Sequence, residues 1–301
     1  MSSPNPNNTD SLRGLAFALS AYVMWGLLPL YMKALSHIPA AEVVAHRVIW
    51  SVPVAGVLLI VLRRTKDLKA ALRSPKTLLM ACVTAALISV NWGIYVWSIA
   101  NGHALDAALG YYINPLFSVL LGSMLLGERP NRIQMVAIAL AAGAVVVLTV
   151  AAGGLPLVAV GLTLSWGFYA FFKKSLPVGP NQGFMLEVLI LLPVALGYVI
   201  YLSITGTGHM GDSGMNIALL LGCGVATAVP LITYANGAKL LRLSTIGILQ
   251  YIAPTMIFLI AVFAFGEEFD GARMVAFPMI WAALVIYSVS LVKQMRSSKP
   301  A

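Results

Sequence analysis

Long apolar runs, broken by short polar or glycine- and proline-bearing interruptions, occupy the chain from residue 12 to residue 292. Ten windows reach the roughly 20 residues that carry a helix across a ~30 Å hydrocarbon core. They fall at 12–35, 40–62, 76–100, 104–126, 131–152, 154–173, 183–203, 215–236, 244–265 and 271–292. Within them apolar positions run on continuously, without the polar–apolar alternation of outer-membrane strands. The pattern predicts an all-α integral membrane protein with ten transmembrane helices.

The pattern also restarts midway. Trp25-Gly26 and Lys33 recur as Trp166-Gly167 and Lys174 at a spacing of 141. Pro53-Val54-Ala55 recurs as Pro193-Val194-Ala195 at 140, and Tyr112, Pro115, Gly127-Glu128 and Met135 recur as Tyr251, Pro254, Gly266-Glu267 and Met274 at 139. Ordered matches at a nearly constant offset define two units, 1–152 and 153–301, of five spans each. Because five is odd, the two units enter the bilayer in opposite directions, the inverted-repeat construction of many secondary transporters.

Composition changes the picture only by narrowing it. Hydrophobic residues make up 60% of the 301 and charged residues 10%, against roughly a quarter charged in soluble domains, so a water-exposed globule is excluded. The net charge of +9 gains its meaning from its distribution. Placing the N-terminus in the cytoplasm puts 16 of the 19 basic residues there: Arg13; Arg63 through Lys76; Arg129 and Arg132; Lys173 and Lys174; Lys239 and Arg242; Lys293, Arg296 and Lys299. Lys33 and Arg273 fall outside and Arg47 lies within a span. Both termini are therefore expected in the cytoplasm, and the charge calls for no nucleic acid. The polar start MSSPNPNNTD is followed by no short apolar core with a small-residue cleavage site, so the first apolar stretch reads as a permanent span. The basic stretch 63–75 is expected to form a short helix on the anionic leaflet or simply to anchor the topology, and the glycine-rich 206–214 a flexible outer loop. Cys82 and Cys223 both fall in apolar segments and read as small buried hydrophobes, not as a disulfide or metal site.

No phosphate-cradling G-x-x-x-x-G-K-[ST], no H-E-x-x-H and no buried carboxylate pair is present, so the sequence reads as neither an ATP-driven pump nor an enzyme, and no cofactor or metal is expected. What remains is polar chemistry inside apolar spans. Arg47 sits about seven residues into the second span. An intramembrane guanidinium either serves a pathway or snorkels to the headgroups. Glu187 is its counterpart at an offset of 140, but the helices run in opposite directions. Six residues from each shared proline is about 9 Å, which predicts roughly 18 Å of vertical separation and no direct ion pair; the two are candidates for opposite mouths of one pathway. Trp25, Asn91, Trp92, Tyr95, Tyr112, Asn114, Trp166, Tyr169, Gln250 and Tyr251 complete the set. Each alone is explained by helix–helix hydrogen bonding; together they suggest an aromatic-walled pocket for an organic solute, since a bare inorganic ion wants rings of charge or carbonyls.

Several stretches are familiar: Ala21-Tyr22 through Trp25-Gly26, His46-Arg47-Val48-Ile49-Trp50, Asn91-Trp92, Leu109 through Pro115, Gly127-Glu128-Arg129, and Leu243-Ser244-Thr245 through Gln250-Tyr251. By these the chain resembles the drug/metabolite transporter superfamily, whose members carry two five-helix EamA repeats, over roughly 12–292. The resemblance implies ten helices, a bacterial inner-membrane location, transport activity and a central cavity between the halves, but no substrate. The expected function is export of a small organic solute by alternating access, with the bilayer and that solute as partners. A non-transporting receptor or assembly partner on the same scaffold is the rival reading, and a lipid-acting membrane enzyme a third.

Overall fold

The computed structural model describes residues 11–126, 131–238, 240–241, 245–246, 249–269 and 271–297. The Gly127-Glu128-Arg129 turn and basic positions Lys239, Arg242 and Lys299 lie outside the described residues, as do parts of the ninth predicted window. The described elements are helical throughout: α1 (Leu12–Ala34), α2 (Ala40–Val61), α3 (Thr65–Leu72), α4 (Pro75–Ala100), α5 (Ala104–Leu126), α6 (Arg132–Ala152), α7 (Leu157–Ser175), α8 (Pro180–Thr205), α9 (Gly214–Ala238), α10 (Ile252–Leu259), continued by a π-helical turn over Ile260–Ala264, and α11 (Gly271–Ser297).

Eight of these helices are long and apolar enough to cross a membrane; Leu157–Lys173 and Ile252–Ala264 are shorter apolar helices. Of the ninth window, drawn from 244, residues 245, 246 and 249 are helical, and a further helix runs from Ile252. The helix ends follow local chemistry. Ser11 and Ser74 accept from the amides of Gly14 and Thr77, and Asn131 with Gln134 forms a reciprocal capping box. Gly153 and Gly206 close α6 and α8 in the left-handed region, both at φ 66°. The basic stretch forms α3, which packs on α4 and α8.

The outer surface is lined with bare apolar side chains, among them Val57, Ile60, Leu79, Val150 and Ile204, which are 62%, 67%, 70%, 75% and 80% exposed. In water such a surface would be untenable; against lipid it is the required one. Cys82 belongs to it. It is exposed on α4 whereas Cys223 is buried on α9, so the expectation that both cysteines are buried holds for Cys223 alone: an apolar run in a membrane protein has a lipid-facing side as well as a core side.

Inside, small residues let helices approach. α6 lays Ala137, Ala141 and Ala144 along α11, where Ala276, Ile280 and Ala283 are fully buried. Gly224 of α9 brings its backbone against α2 so closely that a Cβ there would lie 2.1 Å from the carbonyl oxygen of Trp50. Gly110 of α5 sits likewise on α7, where an added Cβ would lie 2.8 Å from the carbonyl oxygen of Ala159. The remaining packing pairs α2 with α8 and α9, α1 with α9 and α10, and α7 with α4 and α5.

Candidate functional site

A cavity of about 600 Å³ lies among α1, α2, α4, α5, α7, α8, α9 and the start of α10. Aromatic side chains are prominent in its walls, most of them in two clusters. On one side Tyr22 and Trp25 of α1 meet Tyr234 of α9, with ring centroids 5.4–5.8 Å apart. On the other, Tyr95 of α4, Tyr111 of α5 and Trp166 and Tyr169 of α7 form a chain of contacts at 5.6–6.4 Å. The repeated tryptophans, Trp25 and Trp166, thus each anchor one cluster. Such edge-on and tilted pairs hold rings in place without filling the space between them.

Two cations face this cavity. Arg47 is 3% exposed; its Nε donates to Thr227 Oγ1 on α9 at 3.0 Å, and its Cζ lies 4.8 Å from the centre of the Trp92 ring. Lys173 sits near the end of α7, with Nζ 2.6 Å from Glu187 Oε1. Glu187 is 1% exposed and also accepts from the Tyr169 hydroxyl at 3.3 Å. A buried pair of this kind is stable only while both partners are present. Arg47 and Glu187 therefore have different partners and no ion pair joins them, as their opposed helix directions led us to expect.

The cavity wall includes Trp25, Arg47, Asn91, Trp92, Tyr95, Asn114, Trp166, Tyr169 and Gln250 of the residues proposed from sequence. Three others lie elsewhere. Tyr112 packs against Phe277 and its hydroxyl meets Thr255 Oγ1 at 2.8 Å, so it joins α5 to α10 and α11. Glu187 stands behind the wall, holding Lys173 and Tyr169. Tyr251 precedes α10 with a buried hydroxyl. Tyr111, the neighbour of Tyr112, lines the cavity, and its hydroxyl donates to Asn91 Oδ1 at 3.2 Å. Asn91 in turn donates to the Leu162 carbonyl and to Ser165 Oγ. Tyr111, Lys173 and Thr227 were not among the proposed site residues: hydroxyls within a span, as in Tyr111 and Thr227, are as readily packing groups, and a lysine near a span end, as in Lys173, reads as a topology anchor.

The two ends of the cavity differ. Toward the α7–α8 connection it is lined by Lys173, Asn181 and the exposed Pro180. At the opposite face the connections are tied together. Glu42, 1% exposed in the first turn of α2, accepts at 2.7 Å from both the amide and Nδ1 of His209 in the α8–α9 connection. That bond pins the glycine-rich loop expected to be flexible. Glu267, beyond α10, accepts from the amides of Ala104 and Leu105 at the start of α5, at 2.7 and 2.8 Å. Arg273 reaches Asp106 at 3.5 Å, and Lys33 lies over the Phe265 ring.

An all-helical, lipid-faced bundle around one aromatic cavity is the construction of a membrane transporter. The EamA-like transporter family model matches residues 12–150. The chain is 42% identical over 297 residues to an uncharacterized transporter of Vibrio cholerae, covering 98% of both chains. It is 41% identical over 289 residues to the protein RarD of Escherichia coli K12, covering 95% of this chain and 98% of that one. The transporter YojE of Bacillus subtilis is also 41% identical, over 97% of this chain and 99% of its own. A protein of known crystal structure shares the fold, with a TM-score of 0.61 and 19% identity over 94% of this chain and 98% of the other. The chain belongs to the EamA-like transporter family and groups with its RarD members. It is a multi-pass membrane transport protein, with the bilayer and a small molecule as its partners.

Proposed function

We propose that the chain is a bacterial inner-membrane secondary transporter that exports a small organic solute by alternating access. The observation that carries this is the cavity's asymmetry. About 600 Å³ of aromatic-walled space reaches the exposed Pro180 at one face, while carboxylates tie the connections at the other. This is the form expected of one end state of a two-gate cycle. A pocket of this volume suits a metabolite or drug-sized molecule.

The proposal includes ten crossings, both termini in the cytoplasm, and two inverted repeats, 1–152 and 153–301. It is supported by the packing pattern. Matching the spans of the two halves in order pairs α2 with α8, α5 with α10 and α6 with α11, and each pair is in contact. The contacts of α1 with α9 and α10 have their counterparts in those of α7 with α4 and α5. Reporter tags at residues 69 and 210 test the topology: they are expected on opposite sides of the membrane, and the same side would overturn it.

The test of transport is a metabolite comparison between deletion and overexpressing cells, followed by flux of the leading compound in reconstituted vesicles with and without a pH gradient. Accumulation outside the overexpressing cells and saturable flux are expected. Vesicles that hold folded protein yet show no flux of any compound raised by overexpression would overturn the proposal in favour of a receptor or assembly role.

A further inference from the structure

The cavity has one charge that nothing on its wall answers. Lys173 is matched by Glu187 at 2.6 Å, so that pair is neutral. Arg47 has no such partner. Among the described residues no carboxylate lines the cavity, and none lies within ion-pair distance of the guanidinium. Its Nε is used on Thr227 and its Cζ lies 4.8 Å from the centre of the Trp92 ring. Nη1 is buried without a hydrogen-bond partner. The hydroxyl of Tyr95, on the same wall and 3% exposed, is buried and unpartnered too.

An arginine stays protonated in any protein setting. Holding it unpaired in a site ringed by apolar side chains is costly, so the site is built for something that brings negative charge. The free donors, Arg47 Nη1 and the Tyr95 hydroxyl, suit the two oxygens of a carboxylate. A single uncompensated cation argues for a monoanion, because phosphate-type dianions are generally met by clusters of cations. The rest of the wall combines aromatic and aliphatic side chains, Trp25, Trp166 and Tyr234 among them, with a few uncharged polar ones such as Asn114 and Gln250. We infer that the solute is an organic monocarboxylate with an apolar or aromatic body, its carboxylate bound by Arg47 Nη1 with the Tyr95 hydroxyl and its body between the aromatic clusters. This rests on the solute-cavity reading above and specifies its substrate class.

The test measures binding by equilibrium dialysis to the full-length protein in phosphatidylcholine nanodiscs at neutral pH. Three probes differ only in their head group: 3-phenylpropanoate, 3-phenylpropanamide and 3-phenylpropylammonium. On the wild-type chain the carboxylate is expected to bind at least tenfold more tightly than the amide, and the ammonium more weakly still. In Arg47→Gln the carboxylate and the amide are expected to bind within twofold of each other. Arg47→Lys, which keeps the charge and loses the fork, is expected to fall between. The wild-type comparison needs no variant, so the inference remains testable whatever Arg47→Gln does to folding. Equal binding of the three probes, or a preference for the amide or ammonium, would overturn the carboxylate assignment while leaving the organic-solute cavity standing. Binding of none of them would overturn both.

Discussion

Glu267 offers a direct way to ask whether the tied face is a gate. Its carboxylate caps α5 from the other half of the chain, taking the amides of Ala104 and Leu105 at 2.7 and 2.8 Å. Those amides belong to the first turn of a helix and have no partner within it. Hydrogen bonds to a charged group contribute about 1.5–3 kcal/mol each when dry, and a carboxylate at a helix N-terminus adds about 0.3–1 kcal/mol. Glu267 is only partly buried, so water recovers much of this on opening, and about 2 kcal/mol is a reasonable net value. Since 1.4 kcal/mol is tenfold in an equilibrium constant, Glu267→Ala is expected to raise the open fraction of this face about 30-fold. The readout is the labelling rate of a cysteine at Leu28, a buried cavity residue, with Cys82→Ser and Cys223→Ala as background. A membrane-impermeant thiol reagent is applied from the side bearing the α10–α11 connection. The rate is expected to rise by about the same factor while the open fraction stays small. Glu268→Ala is the control: Glu268 is exposed and only its backbone carbonyl is engaged, by Arg273. An unchanged rate in folded Glu267→Ala protein would refute the idea that this capping bond holds the face shut.

Three further outcomes follow from the same geometry. Glu187→Gln strands the Lys173 ammonium beside the cavity and is expected to lower thermal stability, by about 1–2 kcal/mol because Lys173 keeps some contact with solvent; adding Lys173→Met is expected to recover most of the loss in a melting assay, the signature of a coupled pair. Gly224→Ala is expected to cut the yield of folded protein, since its methyl would meet the Trp50 carbonyl. Gly93→Ala, with nothing within 4 Å of its Cβ, is expected to melt like the parent. Tyr112→Phe removes the bond to Thr255 and is expected to cost about 1 kcal/mol of stability while leaving probe affinity unchanged; Tyr111→Phe is expected to weaken probe affinity instead.

The membrane class and most span limits were legible because continuous apolar runs of that length have few other uses. The site was legible in part, for an identifiable reason. Arg47, Asn91 and Trp92 stood out because polar groups at depth are expensive, and all three face the cavity. Recurrence between halves was a weaker guide. It favoured Tyr112, whose counterpart is Tyr251, over Tyr111, yet successive helical residues point about 100° apart and only Tyr111 reaches the cavity. A residue present in both halves is as readily one that both halves need for packing, which is what Tyr112 does against Phe277 and Thr255. Lys173 escaped because its value lies in its pairing with Glu187, fourteen positions away across two helices and a connection.

The π-helical turn at Ile260–Ala264 carries a consequence for the two halves as machines. Shifted back by the repeat offset of 139, that segment falls on 121–125, where α5 is ordinary α-helix. One wide turn swings every later side chain by about a quarter of a revolution relative to its twin and delivers the chain directly into the segment bearing Glu267. A duplicated protein with perfectly matched arms would rest equally well facing either way. On the alternating-access proposal, this difference in winding is expected to make the inward- and outward-facing forms unequal in energy before any solute arrives, giving the empty carrier a preferred direction in which to wait.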